Sequence, residues 1–298
     1  MVANIGDTGH EMHSSGRYDL HTHTRASDGM NTPAEQIRRA KVKGLQGVAI
    51  TDHDTVSGIK EALEAGTEHG VTVIPGVEIS TRAKGKDIHV LGYFVDYLDP
   101  LLLQRLQELR ETRGQRNLRI LEKLRELGVE LTMDEVIAQL GRPLEPDESI
   151  GRPHIADALV HKGYASDMRD AFDRYLAEGA AAYVSVPRVS PGQACDWIRA
   201  AGGVPVLAHP GLYADDALVE AILEEHRPVG IEVYHADHDT AAEERYARMA
   251  EQYGLIPTAG SDYHGERQGV VFHGDLGSRT VATDIIEQLR QHKRSGSE

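Results

Sequence analysis

The chain has 298 residues, 40% of them hydrophobic and 27% charged, which suffices for a large core and excludes a disordered chain. Its 32 Lys and Arg against 47 Asp and Glu leave a net charge of −15, which argues against a surface built to coat nucleic acid. No apolar run approaches the ~18 residues of a membrane span, the N-terminus lacks the pattern of a leader, and the single Cys195 excludes an intramolecular disulfide. The chain therefore reads as soluble and cytoplasmic, with two domains or one barrel-sized domain carrying an insertion.

Residues 1–16 are polar and aperiodic and read as a loose arm, with His10 and His13 solvated. From Tyr18 a unit repeats: a short apolar run, a polar cluster, then a helical pattern. The runs cover residues 18–22, 47–51, 71–74, 87–94, 204–208, 230–234 and 256–260. After the first, Thr32-Pro33-Ala34-Glu35 is a capping box with proline at the first helical position, and Gly44 ends that helix. A second helix covers residues 57–69 and stops at Gly70. Continuous apolar runs alternating with helices predict parallel strands buried on both faces. Seven of them predict an α/β fold, a closed or nearly closed β/α barrel, with an open doubly wound sheet as the weaker alternative.

The alternation breaks over residues 100–186. Leu102, Leu103, Leu106 and Leu109, then Leu118, Leu121, Leu124 and Leu127, follow helical spacing until Gly128. Thr132-Met133-Asp134-Glu135 is a second capping box, and Gly151-Arg152-Pro153 opens a further helix. Ser166 is expected to cap another, with Phe172, Tyr175 and Leu176 on its buried face. The expected organisation is a β/α barrel of residues 17–99 and 187–290, an inserted all-helical subdomain of residues 100–186, and a frayed tail of residues 291–298.

Sixteen histidines beside one Trp and three Phe point to a metal site if their positions converge. They do so at the strand ends. His21 and His23 close the first run, with Asp28 in the loop beyond. His53 follows the second, Glu78 the third, His89 lies in the fourth, His209 follows the fifth, and Asp262 and His264 follow the seventh. The C-terminal strand ends of a β/α barrel meet on one face. A His-x-His pair on an extended strand points both rings to one side. Six imidazoles and three carboxylates exceed what one open ion uses, so they suit two or three divalent ions bridged by a carboxylate such as Glu78. Nitrogen and oxygen donors without thiolate favour Mn, Zn or Fe(II), and such clusters clamp phosphoryl oxygens and activate water for in-line displacement.

These residues resemble a known family. His21-Thr22-His23, Ser27-Asp28-Gly29, Thr51-Asp52-His53-Asp54, Gly76-Val77-Glu78-Ile79-Ser80, Ala208-His209-Pro210 and Gly260-Ser261-Asp262-Tyr263-His264 look like the motifs of the PHP (polymerase and histidinol phosphatase) phosphoesterases, in family order. The resemblance implies a distorted seven-stranded β/α barrel. The insert with Arg116, Gly151-Arg152-Pro153-His154 and Tyr183-Val184 is similar to stand-alone bacterial members, which act as 5′→3′ exoribonucleases, nucleoside 3′,5′-bisphosphate phosphatases or AMP phosphatases. That likeness implies one ion on His21, His23, Glu78 and Asp262, a second sharing Glu78 with His89 and His209, and a third on Asp28, His53 and His264. Mn is the first choice of metal. Catalysis, by attack of metal-activated hydroxide on phosphorus, would rest on His21, His23, Glu78, His209 and Asp262.

Arg116, Arg152 and His154 are the candidate substrate-binding residues, because guanidinium forks grip phosphate oxygens and Arg152 precedes a helix N-terminus. Asp52, and less so Asp54, is a candidate to orient the His53 ring. Glu232, His235 and His238, at the end of the sixth run, are candidates to line the pocket but read more readily as loop residues in solvent; His69, His161 and His226, and the cations Arg38, Arg39, Lys41 and Lys43, read as surface; Cys195 reads as core. The expected partner is a small phosphorylated nucleotide or short single-stranded oligonucleotide, with no membrane, long duplex or protein partner implied. Histidinol-phosphate and AMP phosphatases are the alternatives within the family. A binding module that has lost catalysis is disfavoured because all nine ligand positions are filled. A metal-dependent amidohydrolase is disfavoured because no lysine follows a central strand.

Overall fold

The computed structural model describes residues 16–293; the expectations for the N-terminal arm before Gly16 and for the last five residues lie outside it. The elements in chain order begin with β1 (Tyr18–Asp19), α1 (Pro33–Val42), β2 (Gly47–Ile50), α2 (Ile59–His69), β3 (Thr72–Ala83) and β4 (Lys86–Tyr93). A helical stretch follows: α3 (Pro100–Glu126), α4 (Met133–Ala138), α5 (Arg152–His161), α6 (Met168–Ala171), a π-helical turn (Phe172–Leu176) and α7 (Pro191–Ala200). Then come β5 (Val204–Leu207), a 3₁₀ turn (Pro210–Tyr213), α8 (Asp216–His226), β6 (Gly230–His235), α9 (Thr240–Tyr253), β7 (Ile256–Gly260), the short hairpin β8 (Glu266–Arg267) and β9 (Val270–Val271), and α10 (Thr283–Gln291).

The first seven strands lie side by side in chain order in one sheet. Leu20 N–H donates to the Ala259 carbonyl at 3.2 Å and His23 N–H to the Tyr263 carbonyl at 2.8 Å, so β1 and β7 meet and the barrel is nearly closed. The expectation of strands all running parallel fails at β4, which is antiparallel to both β3 and β5. Its cause is local. Lys84 and Gly85 both take left-handed φ (45° and 84°), the geometry of a two-residue hairpin turn, so no crossover helix separates β3 from β4. The third strand is also far longer than its apolar run, and Glu78 lies inside it rather than after it.

The helix signals act where the sequence places them. Thr32 and Glu35 cap α1 reciprocally, as do Thr132 and Glu135 for α4, and Gly70 ends α2 in the left-handed conformation. At α6 the cap is Asp167 and not Ser166: the Asp167 carboxylate accepts from Asp170 N–H, while Ser166 donates its N–H to the Asp170 carboxylate and its hydroxyl to the Asp167 carboxylate.

One apolar cluster gathers residues of six strands, among them Tyr18, Ala49, Ile74, Leu91, Val206 and Ala259, and continues into Ile286 and Leu289 of α10. Outside the sheet, α1, α2, α7 and the first half of α3 cover β2–β4, while α8 and α9 cover β5 and β6. The helices between β4 and β5 have a core of their own, with Ile155, Leu159, Met168 and Leu176 buried in it. The α3 helix belongs to both layers: Leu102, Leu106 and Leu109 pack on the barrel, and Ile120, Leu121 and Leu124 pack in the insert. This rigid 27-residue rod places the middle of α3 over the open end of the barrel. Among the described residues no helix is long and apolar enough to cross a membrane.

Candidate metal centre

The nine candidate ligands from the sequence meet at the C-terminal end of the parallel strands. The antiparallel β4 brings His89 there from the opposite direction, opposite Ser80 and diagonal to Glu78. Gly260 permits the close packing of β1, β6 and β7, since a Cβ there would lie 2.2 Å from His21 Cβ and 2.6 Å from Glu232 Oε1. Asp262 follows at φ 52°, a left-handed conformation that Asp tolerates better than bulkier residues.

His21 Nε2 lies 3.4 Å from Glu78 Oε2 and 3.3 Å from Asp262 Oδ1, and His23 Nε2 lies 3.3 and 3.1 Å from the same two oxygens. All four atoms are buried, and none has a hydrogen-bond partner among the described residues. Orphaned buried polar atoms are costly, so four converging on one point call for a shared partner. Bonds of ~2.1 Å to one ion put ligand atoms about 3.0–3.4 Å apart, in tetrahedral or octahedral arrangements alike, which is the spacing here. The other Glu78 oxygen, Oε1, lies 2.8 Å from His89 Nδ1 and 3.1 Å from His209 Nε2, and those two nitrogens are 3.2 Å apart. Glu78 is thus placed as a bridge between two such points. A third donor set holds Asp28, His53 and His264 beside His23, with His264 Nε2 at 3.3 Å and His53 Nε2 at 3.8 Å from the Asp28 carboxylate. His53 also turns Nδ1 to Glu78 Oε2 at 2.9 Å, so it stands between the sets. The donor set fits divalent metal ions.

The charges are arranged accordingly. Burial pushes the Glu78 and Asp262 carboxyls up, but the imidazoles around them, led by His89 and His21 respectively, hold both well below the usual range. Asp28 is depressed in the same way by His53 and His264. Burial opposes protonation of His264, yet Asp28 and Asp262 raise it to about 9, whereas burial dominates at His23 (about 3) and His209 (about 4). The carboxylates are therefore ionised, as metal ligation requires.

Several supporting residues stand elsewhere than the sequence suggests, and Asp19 carries no sequence signal at all. Glu232 and His235 are fully buried, not in solvent, and His238 is nearly so. Both Glu232 oxygens lie 3.1 Å from His21 Nδ1, and Oε2 accepts from His209 N–H at 2.8 Å, so one carboxylate sets two of the candidate ligands. The period-two pattern of β6 was the available signal, because Glu232 points inward between outward residues. Asp19 is buried beneath His21; burial raises it to about 6 against hydrogen bonds from Ser261, Gly277 and His21. Asp52 does not orient His53. It accepts from Thr24 N–H, the Thr24 hydroxyl and the Ser27 hydroxyl, and so shapes the loop that carries Asp28. Cys195 is buried and free, its thiol pushed up to about 12 by burial.

The insert supplies a basic wall. A cavity of about 200 Å³ joins the ligand cluster to Arg113, Arg116, Arg152 and Arg188. Arg113 is paired with Asp54 at 2.5 Å and donates to Ser80 Oγ at 2.6 Å. Arg152 reaches Asp87 at 3.2 Å. Arg116, 3% exposed, donates only to Asn117 Oδ1 and forms no ion pair among the described residues. Burial, then Arg113, Arg188 and Arg152, push its pKa well below that of a free guanidinium. Arg188 is lowered by burial and Arg113 as well. Arg113 lies one helical turn before Arg116 and could have been found from that spacing; Arg188 and His273, which also lines the cavity, carry no motif. His154 is not on this wall. Its Nδ1 accepts Gly151 N–H at 3.0 Å, closing the first turn of α5, and its ring lines a neighbouring cavity with Arg25, Arg142 and Arg267.

Residues 19–135 match the PHP domain family. The chain is 35% identical to the 3′,5′-nucleoside bisphosphate phosphatase of Chromobacterium violaceum over 84% of its length and 88% of that protein's. It is 37% identical to the 5′-3′ exoribonuclease Rnm of Escherichia coli, over 83% and 85% of the two chains. A Bifidobacterium adolescentis structure assigned as a metal-dependent phosphoesterase superposes with a TM-score of 0.85 at 31% identity, covering 95% of this chain and 98% of the other. With this likeness along nearly the whole chain and the donor geometry above, the protein belongs to the PHP family and is a metal-dependent phosphoesterase.

Proposed function

We propose that the substrate is a nucleoside 3′,5′-bisphosphate or the phosphorylated 5′ end of a short single-stranded RNA. The observation that carries this reading is the meeting, in one cavity, of the ligand cluster with four arginines that Asp54 and Asp87 only partly balance. A substrate there finds two anion subsites: one phosphate lies over the ligand cluster, and a second is gripped by guanidinium forks. A bisphosphate or an RNA end fills both. AMP leaves the arginines empty, and histidinol phosphate brings an ammonium group toward them. The overall charge of −15 and a cavity of only about 200 Å³ disfavour long duplexes.

In this reading His21, His23, Glu78 and Asp262 would hold one ion, Glu78 with His89 and His209 a second, and Asp28, His53 and His264 a third, with Mn preferred and Zn or Fe(II) as alternatives. Such ions supply Lewis acidity at phosphoryl oxygens and a lowered water pKa. The chain's own residues do the positioning. Glu232 fixes the His21 ring and the His209 backbone, Asp54 steers Arg113, and Asp52 holds the Asp28 loop. Arg116, Arg152 and Arg188 hold the phosphate that does not react.

The test is incubation of Mn-reconstituted protein with adenosine 3′,5′-bisphosphate, AMP, histidinol phosphate and a 5′-phosphorylated short RNA, scored for phosphate and mononucleotide release. Turnover of the bisphosphate and mononucleotides leaving the RNA from its 5′ end are expected, both abolished by His21→Ala or Asp262→Ala. Efficient cleavage of AMP or histidinol phosphate with an inert bisphosphate would refute the reading.

A further inference from the structure

A few of the side chains that line the cavity are chemically unlike the rest. Among the side chains that line it, only Pro153, Phe172 and Leu212 are apolar. Phe172 opens the π-helical turn Phe172–Leu176. Tyr175 and Leu176 of that turn are buried in the insert's core, yet Phe172 is half-buried and faces a mouth otherwise made of histidines, carboxylates and arginines. Pro153, in the first turn of α5, sits next to Arg152. Leu212 belongs to the turn that follows His209 and is 46% exposed. In a chain with only three Phe and one Trp, this ring packs against the insert's core with part of its surface and leaves the remainder at a wet, charged mouth, where it forgoes part of its burial.

We infer that Phe172, which shares the cavity lining with Pro153 and Leu212, is the subsite for the substrate's nucleobase. The inference rests on the nucleotide reading above and deepens it. The arginines and the ligand cluster take the two phosphates, and the base leaves the sugar toward Phe172, the one uncharged, non-ligating aromatic ring that lines the cavity among the described residues. Stacking of this kind tolerates any base, since every base has a π face. No Asn or Gln lines the cavity among the described residues, so the amide side chains that commonly read base edges are missing. The expected enzyme accepts all four bases with similar KM.

The experiment compares adenosine 3′,5′-bisphosphate with the tetrahydrofuran 3′,5′-bisphosphate, which keeps both phosphates and lacks the base. Phe172→Leu retains apolar packing against the insert without the stacking face, and Phe172→Tyr retains the face. Phe172→Leu is expected to raise KM for the nucleotide by roughly 5- to 100-fold, the range of base–aromatic stacking, with KM for the abasic compound and kcat for both little changed. Phe172→Tyr is expected to restore the wild-type value. An equal rise for both compounds, or no change for either, would overturn the subsite. Equilibrium titration of the two compounds onto the metal-loaded wild-type protein separates this failure from that of the substrate assignment. Equal affinity overturns the base subsite, whereas tighter binding of the nucleotide without turnover supports the subsite and overturns only the substrate reading.

Discussion

Replacing Glu232 by Gln tests the positioning logic of the centre without removing any proposed ligand. The carboxylate is fully buried, lies 3.1 Å from His21 Nδ1 through each oxygen and accepts His209 N–H at 2.8 Å. It therefore holds the proton on His21 Nδ1, which leaves Nε2 free to face Glu78 and Asp262. A glutamine keeps the volume but has one acceptor oxygen for two buried donors, His21 Nδ1–H and His209 N–H. One of them is left facing an NH₂ group, and an unpaired buried donor costs about 1–3 kcal/mol. Loss of partners that orient metal ligands typically costs 10–100-fold in metal affinity, or about 1.4–2.7 kcal/mol, so the two magnitudes agree. The assay is competition for Mn or Zn against a fluorescent chelator, with circular dichroism to show that the barrel is intact. Glu232→Gln is expected to bind metal 10- to 100-fold more weakly and to regain much of its activity at high metal concentration. Affinity within twofold of wild type would show that His21 is fixed by its neighbours alone and would refute the reasoning.

Removing metal exposes the orphaned donors, so chelation is expected to lower the thermal midpoint by about 5–10 °C, from roughly 2.7 kcal/mol of binding linkage at a hundredfold excess over Kd; no shift would contradict the centre. In the metal-free protein His264 has its pKa raised from 6.5 to about 9, so its contribution to stability is full below about pH 6.5 and is lost as pH rises through about 9. For the same reason metal uptake near pH 7 releases protons from this histidine, which calorimetry in buffers of different ionisation enthalpy will detect; a buffer-independent enthalpy would refute it. Arg116 is buried among like charges, so Arg116→Met is expected to leave the substrate-free protein as stable as wild type, or more so, while raising KM for the bisphosphate about tenfold or more. A destabilised variant with unchanged KM would make Arg116 a structural residue. Arg152→Ala is expected to act mainly on KM as well, and an unchanged kinetic profile would remove it from the phosphate wall.

The seven strands, the capping boxes of α1 and α4, the glycine stop of α2 and the helical stretch after residue 100 were all legible, because each rests on local spacing and on backbone preferences within a few residues. The nine clustered residues were legible for a related reason. They sit at or near strand ends, and a barrel brings strand ends together whatever its details. The sequence did not determine the direction of β4, since an apolar run looks the same in either orientation; a left-handed Lys84-Gly85 turn decided it, and with it the approach of His89 to Glu78. Nor did it determine which side chains touch across the barrel. Glu232 meets His21 across 211 positions and Arg113 meets Asp54 across 59, pairings that depend on the curvature of the sheet and the course of α3. His154 shows the opposite case: it sits in the right turn of sequence, and the helix it caps points it into a different cavity. Local spacing fixes elements and the ends at which chemistry collects, while charge balance, ring orientation and the shape of the mouth come from contacts between distant segments, which only the packed tertiary structure specifies.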